Sequence, residues 1–288
     1  MTDVLLEIRR SLEAPRAAEA RVAQLVAASP EIVAASTITE IARASGASQA
    51  TVARYCQSLG YGGYRDFRLA VVEALSREGA ARDHFHIDDA EIDPTDTAAE
   101  TVAKVVFQEV QALRALGEQL DVAAVDRVVE ALLGARRVEL YGAGASGLAA
   151  LDLFQKLSRV RFAVGCSSDV HQTLAQVALL EPGDVAIGFT HSGATHETLD
   201  VLAAARAAGA TTVAVTNGTG TSVDSRADVV LTTQVRESLF RAGAMVSRTA
   251  QLAIVDILFV RVVQRSFDTS ADALRRTYEA VAPHRPAR

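Results

Sequence analysis

Cysteine is nearly absent. The chain has two, Cys56 and Cys166, far apart and without the close spacing of zinc ligands. That argues against a disulfide framework and a structural metal site, and it fits a reducing cytosol. Lysine is scarce too: of 29 basic residues, all but Lys104 and Lys156 are arginine. With so much Ala and Val, this bias fits a GC-rich bacterial gene. No long apolar run is free of charge. The most apolar stretch, 242–263, carries Arg248, Asp256 and Arg261. A membrane span would not hold these cheaply, so a buried helix is expected there. The opening residues MTDVLLEIRR place charge inside any apolar core, which is unlike a signal peptide. A cytoplasmic protein without membrane contact is the expectation.

What is present is globular: 49% hydrophobic and 22% charged over 288 residues, enough for one large domain or two ordinary ones. The net charge of −6 is uneven. Residues 1–82 hold 10 basic and 9 acidic side chains, whereas the remainder is acidic. A near-neutral head on an acidic body is compatible with a head that meets nucleic acid.

The head, 1–77, reads as all helix. Residues 17–28 have apolar side chains at helical spacing. Residues 36–44 form a short helix with its own capping hydroxyls. Ser45-Gly46-Ala47 is a tight turn with glycine available for positive φ. A second helix over 48–59 is capped by Ser48 and ended by Gly60, and a further helix follows over 64–75. Helix, glycine turn and Ser-capped helix make the helix-turn-helix arrangement, or else an αα corner within a bundle. The second helix turns Val52, Leu59 and either Tyr55 or Cys56 inward. Ser48, Gln49, Ala50, Thr51, Arg54 and Tyr55 are the candidates for contact with double-stranded DNA, through base edges and phosphates near the helix N-terminus.

Residues 78–96 read as an interdomain linker: charged, broken by Pro94 and weakly periodic. His84 and His86 have no clustered partner that would make them metal ligands, and no metal site or cofactor is expected. The body, 97–288, opens with two helices, the first amphipathic through Val102, Val105, Val106, Val110 and Leu113. Strands then alternate with helices. They are expected at 137–141, 161–165, 184–189, 211–216 and 228–231. Such alternation predicts a doubly wound α/β fold, a five-stranded parallel sheet with helices on both faces.

Two strand ends carry unusual loops. Strand 1 runs into Gly142-Ala143-Gly144-Ala145-Ser146-Gly147. Strand 3 runs into Thr190-His191-Ser192-Gly193-Ala194-Thr195. Each loop opens a helix, and hydroxyls at a helix N-terminus suit an anion, above all a phosphate. The second loop has no Lys or Arg, so N–H and O–H donors would supply its affinity. If the strand order is 2-1-3-4-5, both loops lie at the switch point where such sheets bind ligands. The first loop also fits the dinucleotide fingerprint G-x-G-x-x-G. That reading wants an acid near the end of strand 2, where Cys166-Ser167-Ser168 precedes Asp169, and it leaves the second loop without a role.

Both halves together resemble the RpiR family of bacterial transcriptional regulators, which join a helix-turn-helix domain to a SIS (sugar isomerase) domain with a flavodoxin-like strand order. In the head the likeness rests on Ile38-Thr39-Glu40-Ile41-Ala42, on the stretch 48–56 and on Leu59-Gly60-Tyr61-Gly62-Gly63-Tyr64-Arg65-Asp66-Phe67. In the body it rests on the two hydroxyl loops and on the stretch 240–248. It implies operator DNA and a phosphorylated sugar effector as partners, and a homodimer or homotetramer paired through the apolar helices 97–116 and 242–263. It also implies that Ser146, Ser192 and Thr195 hold the phosphate, with Gly144, Ala145, Thr190 and Gly193 beside them and Glu237 toward the sugar hydroxyls. Many relatives have Glu where Ala194 stands and Ser where Thr190 stands. The alternative on the same fold is an aldose–ketose isomerase. Such isomerases tend to hold a glutamate just ahead of the last helix, where the likeness puts Arg241 with Glu237 one turn earlier. His171, His191 and His196 could supply a base but are more often packing or capping residues, and the attached head would have no use. No catalytic residue is therefore expected.

Overall fold

A computed structural model describes residues 4–12, 19–235 and 244–282. The chain divides into two compact units, Met1–Gln108 and Glu109–Arg288. In the first unit the helices are α1 (Val4–Arg10), α2 (Ala20–Ala28), α3 (Glu31–Ala35), α4 (Ile38–Ala44), α5 (Gln49–Ser58) and α6 (Tyr64–Phe85). They enclose Ile8, Val22, Val26, Val33, Ile41, Val52, Tyr55, Cys56, Phe67 and Val71. Thr37 starts α4 with a capping box to Glu40, and Ser48 caps α5 by accepting from the Thr51 N–H. Caps of this kind contribute about 1 kcal/mol each. Between α4 and α5 the chain turns at Gly46, where φ is +62°.

The expected linker is helical at its start. α6 continues through Phe85 and stops where His86 adopts a left-handed conformation, the Ile87 N–H bonding back to the Arg82 carbonyl. Residues 76–85 hold two Arg, two Ala and one Glu, which are good helix formers, but they lack an apolar stripe, so periodicity does not reveal them. The irregular stretch after His86 is also held down. Ile87 is buried, the Gln108 amide donates to the Ala90 carbonyl, and the Phe85 and Phe107 rings meet edge to face at 5.6 Å. Lys104 pairs with Asp96 at 2.7 Å. Asp93 accepts from the Thr95 N–H and hydroxyl in a local turn.

α7 (Ala98–Gln119) begins as the sequence expects, with Thr97 and Glu100 capping each other. Of its expected apolar face, Val102, Val106, Val110 and Leu113 are exposed and Val105 is half-buried, whereas Phe107, Ala112 and Leu116 of the same helix are buried. Next come α8 (Val122–Gly134), β1 (Val138–Gly142), α9 (Ala145–Ser158), β2 (Val164–Cys166), α10 (Val170–Val177), β3 (Val185–Phe189), α11 (His196–Ala207), β4 (Thr211–Thr216), β5 (Val229–Thr232), α12 (Met245–Arg265) and α13 (Phe267–Val281). The five strands form one parallel sheet in the order β2-β1-β3-β4-β5. Strands β1 and β3 are buried along their whole length, as two covered faces require. One face packs on α8, α9 and α12 through Val128, Leu132, Leu153, Leu157, Ile254 and Leu258. On the other, Tyr141 and Ala186 meet Val177, Val201 and Ala205 of α10 and α11. From Met245 onward the charged apolar stretch is the buried helix expected of it. Among the described residues no helix is long and apolar enough to cross a membrane.

Candidate functional site

β1 and β3 are neighbours, and their register pairs Gly142 with Phe189. The two hydroxyl loops therefore leave the sheet side by side at the switch point. The glycines of the first loop have distinct tasks. A Cβ on Gly142 would lie 2.7 Å from the Ser146 carbonyl carbon, and one on Gly147 would lie 2.7 Å from the Gly142 oxygen. Both must be bare for the first turn of α9 to press against the strand end. Gly144 supplies the left-handed turn, with φ +58°. Packing thus accounts for the G-x-G-x-x-G spacing without a dinucleotide. The acid that a dinucleotide needs is engaged elsewhere: Asp169 caps α10, one of its oxygens accepting from the His171 and Gln172 N–H groups.

Among the described residues no side chain caps α9 or α11. The Gly147 N–H turns back to the Gly144 carbonyl, and each helix presents the positive end of its dipole to its loop. By contrast, Asp121 caps α8 and Asp169 caps α10. Ser146 and Ala145 lie in the first turn of α9, and Gly144 precedes it. In the second loop Thr190 is buried, its N–H donating to the Val215 carbonyl at 2.9 Å. Its hydroxyl meets that of Thr195 at 3.0 Å. Ser192 is exposed, and its oxygen accepts from the Ala194 N–H. Gly193 has φ +65° and packs against Thr221. The structure therefore brings together Gly144, Ala145 and Ser146 on one strand end and Thr190, Ser192, Gly193 and Thr195 on the next. Glu237 and Arg241 lie outside the described residues.

Sequence reasoning missed what supports the second loop from behind. The His191 carbonyl accepts from the Thr216 hydroxyl and the Asn217 N–H, and the Gly193 carbonyl accepts from the Val223 N–H. The Asn217 side-chain oxygen accepts in turn from the Val235 N–H and the Thr233 hydroxyl. It missed Gln251 as well, a buried amide on α12 that donates to the Ser146 hydroxyl at 3.2 Å. A lone amide inside an apolar helical run was the available signal. Among the described residues no cluster of His, Cys, Asp and Glu is arranged to hold a metal.

In the head, Ser48, Gln49, Ala50 and Arg54 are exposed along the N-terminal part of α5. Gln49 reaches the Thr39 hydroxyl on α4. Two expected DNA contacts do not share this face. Tyr55 is 1% exposed; it stacks edge-on against Phe67, and its hydroxyl meets Ser11 at 3.0 Å. Burial pushes its pKa up to about 12. With Cys56 buried too, both open choices for the inward position are taken. Thr51 is 8% exposed and works locally, its oxygen meeting Ser48 and accepting from Arg54. It lies one residue before Val52 and one turn before Tyr55, so the buried arc of α5 is wider than the apolar letters alone indicate.

Comparison with known proteins agrees with both halves. Residues 2–78 match the helix-turn-helix domain of the rpiR family, and residues 131–261 match the SIS domain. An HTH-type transcriptional regulator of Caldanaerobacter subterraneus subsp. tengcongensis is 31% identical over 282 residues, covering 98% of each chain. Among solved structures, the Vibrio vulnificus NanR protein complexed with ManNAc-6P aligns over 99% of this chain and 100% of its own, with TM-score 0.63 and 25% identity. The phosphoheptose isomerase of Neisseria gonorrhoeae shares the fold of the body, with TM-score 0.51 and 18% identity over 58% of this chain and 100% of its own. With an rpiR-type head and a SIS body in one chain, and a regulator related along almost all of it, this protein belongs to the RpiR family of transcriptional regulators.

Proposed function

We propose that this regulator binds double-stranded operator DNA through the exposed face of α5, and that a phosphorylated sugar held between the loops after β1 and β3 alters that binding. One observation carries the effector reading: two uncapped helix N-termini, α9 and α11, stand on adjacent strand ends and are lined by Ser146, Thr190, Ser192 and Thr195. Helix N-termini, hydroxyls and two dipoles favour an anion with several oxygens, and phosphate has the right number. The ManNAc-6P complex of the NanR protein supports a sugar phosphate as the class. In this reading Ser146, Ser192 and Thr195 donate to the phosphate, Gly144, Ala145 and Gly193 let the backbone approach it, and Glu237 meets the sugar hydroxyls. Ser48, Gln49, Ala50 and Arg54 meet the DNA in the cytoplasm. The effector is bound and not turned over, since a DNA-binding head has no use in an isomerase.

A single head reads too few base pairs to stand out from a genome of competing sites, so two heads held by a homodimer or homotetramer are required. The exposed stripe of Val102, Val106, Val110 and Leu113 on α7 supports pairing there, because apolar residues at this spacing form a helix–helix seam. The deciding experiment titrates a fragment of the protein's own promoter with and without saturating sugar phosphate, over a panel that includes ManNAc-6P and glucose 6-phosphate. Operator affinity should change about 5–150-fold, with a reciprocal effect of operator on sugar affinity. Ser192→Ala should abolish the response. An operator affinity that no sugar phosphate moves removes the regulatory reading.

A further inference from the structure

Gln251 sits on α12 with 2% exposure, next to the fully buried Ala250 and one turn before the fully buried Ile254. An amide in such a place is costly unless it is bonded. Its Nε2 donates to the Ser146 Oγ at 3.2 Å, and Ser146 stands in the first turn of α9. A hydroxyl oxygen that accepts one hydrogen bond keeps its own proton for another partner. That proton can then be given to a ligand at the N-terminal end of α9, where the helix dipole is positive.

We infer that Gln251 is a positioning residue of the anion site: by donating to Ser146, it fixes the serine hydroxyl as a donor to bound phosphate. The inference rests on the reading of the two loops as an anion site, and it adds a third element, α12, to that site. The direction of the bond matters. An amide oxygen turned toward Ser146 would draw the serine proton away and leave lone pairs facing the anion. A carboxylate at the same place would enforce that arrangement at neutral pH and would add a repelling charge. A hydrophobic side chain of similar volume would fill the space of Gln251 without supplying a donor.

The test uses the full chain and inorganic phosphate as probe, titrated at pH 7 by isothermal calorimetry. Wild-type protein should bind phosphate. Gln251→Met, which keeps the shape and removes the donor, should bind about 5–10-fold more weakly. Gln251→Glu should bind more weakly still. The discriminating readout is coupling. In a Ser146→Ala background, Gln251→Met should cost no further affinity, because the hydroxyl it orients is gone. Melting curves establish that each variant is folded, and Gln251→Leu replaces the Met variant if that one is not. Equal phosphate affinity in wild type and Gln251→Met overturns the inference. So do additive losses in the double variant, and so does a wild-type protein that does not bind phosphate. A persistent coupling together with an operator affinity that no sugar phosphate moves would overturn the proposed function and leave this inference standing.

Discussion

Replacing Gly193 with alanine tests how tightly the second loop is built. The backbone there has φ +65°, and an L side chain in that region costs about 1–2 kcal/mol. The new Cβ would also stand 2.2 Å from the Thr221 hydroxyl oxygen, 2.7 Å from the Thr221 Cβ and 3.1 Å from the Thr216 hydroxyl. Neither neighbour gives way freely. Thr216 donates to the His191 carbonyl, and the Gly193 carbonyl receives the Val223 N–H just beyond Thr221. Relief therefore requires backbone movement, and overpacking of this kind costs about 1–3 kcal/mol. The expected total is about 2–5 kcal/mol, a large part of the roughly 5–15 kcal/mol that keeps a domain folded. For a domain of this size, that corresponds to a melting temperature about 5–15 °C lower. Circular dichroism or differential scanning fluorimetry reads it directly. Thr221→Ala removes the hydroxyl half of the overlap, so Gly193→Ala should cost measurably less in that background. A Gly193→Ala protein that melts within a degree of wild type, or a cost unchanged by Thr221→Ala, would refute the packing described for the loop.

Arg54→Ala should weaken operator binding, and Gln49→Ala should relax base preference by about 1–3 kcal/mol if its contact is bidentate. Tyr55→Phe should leave base preference alone and cost about 1 kcal/mol of stability through the lost bond to Ser11; gel-shift selection and a denaturant melt separate the two outcomes. Incubation with the bound sugar phosphate, followed by NMR, should show no aldose–ketose conversion, and turnover beyond the protein's own concentration would contradict a pure regulator. Val106→Glu places a charge in the exposed stripe of α7. It should shift sedimentation toward a smaller species, and an unchanged distribution would move the pairing surface elsewhere.

Much of this protein was legible in the order of its residues, because local signals agreed with the final fold. Thr37, Ser48 and Thr97 mark helix starts through bonds made within three residues. Buried parallel strands appear as short apolar runs, and the hydroxyl loops fall where strands 1 and 3 end. The strand order under which both loops lie at the switch point is the order of the sheet. Other features depend on neighbours distant in the chain, and no local pattern encodes them. Tyr55 and Cys56 are adjacent letters that both fit an inward position, and Ser11 together with Phe67 admits the tyrosine to the core. The helical 76–85 segment lacked a stripe to announce it. α7 displays an amphipathic pattern of which Val102, Val106, Val110 and Leu113 are exposed among the described residues, because periodicity records that a face is apolar and not what covers it. Gln251 lies 105 positions from Ser146. Only the packing of α12 against α9 turns that glutamine from an anomaly in an apolar helix into the partner of a site hydroxyl.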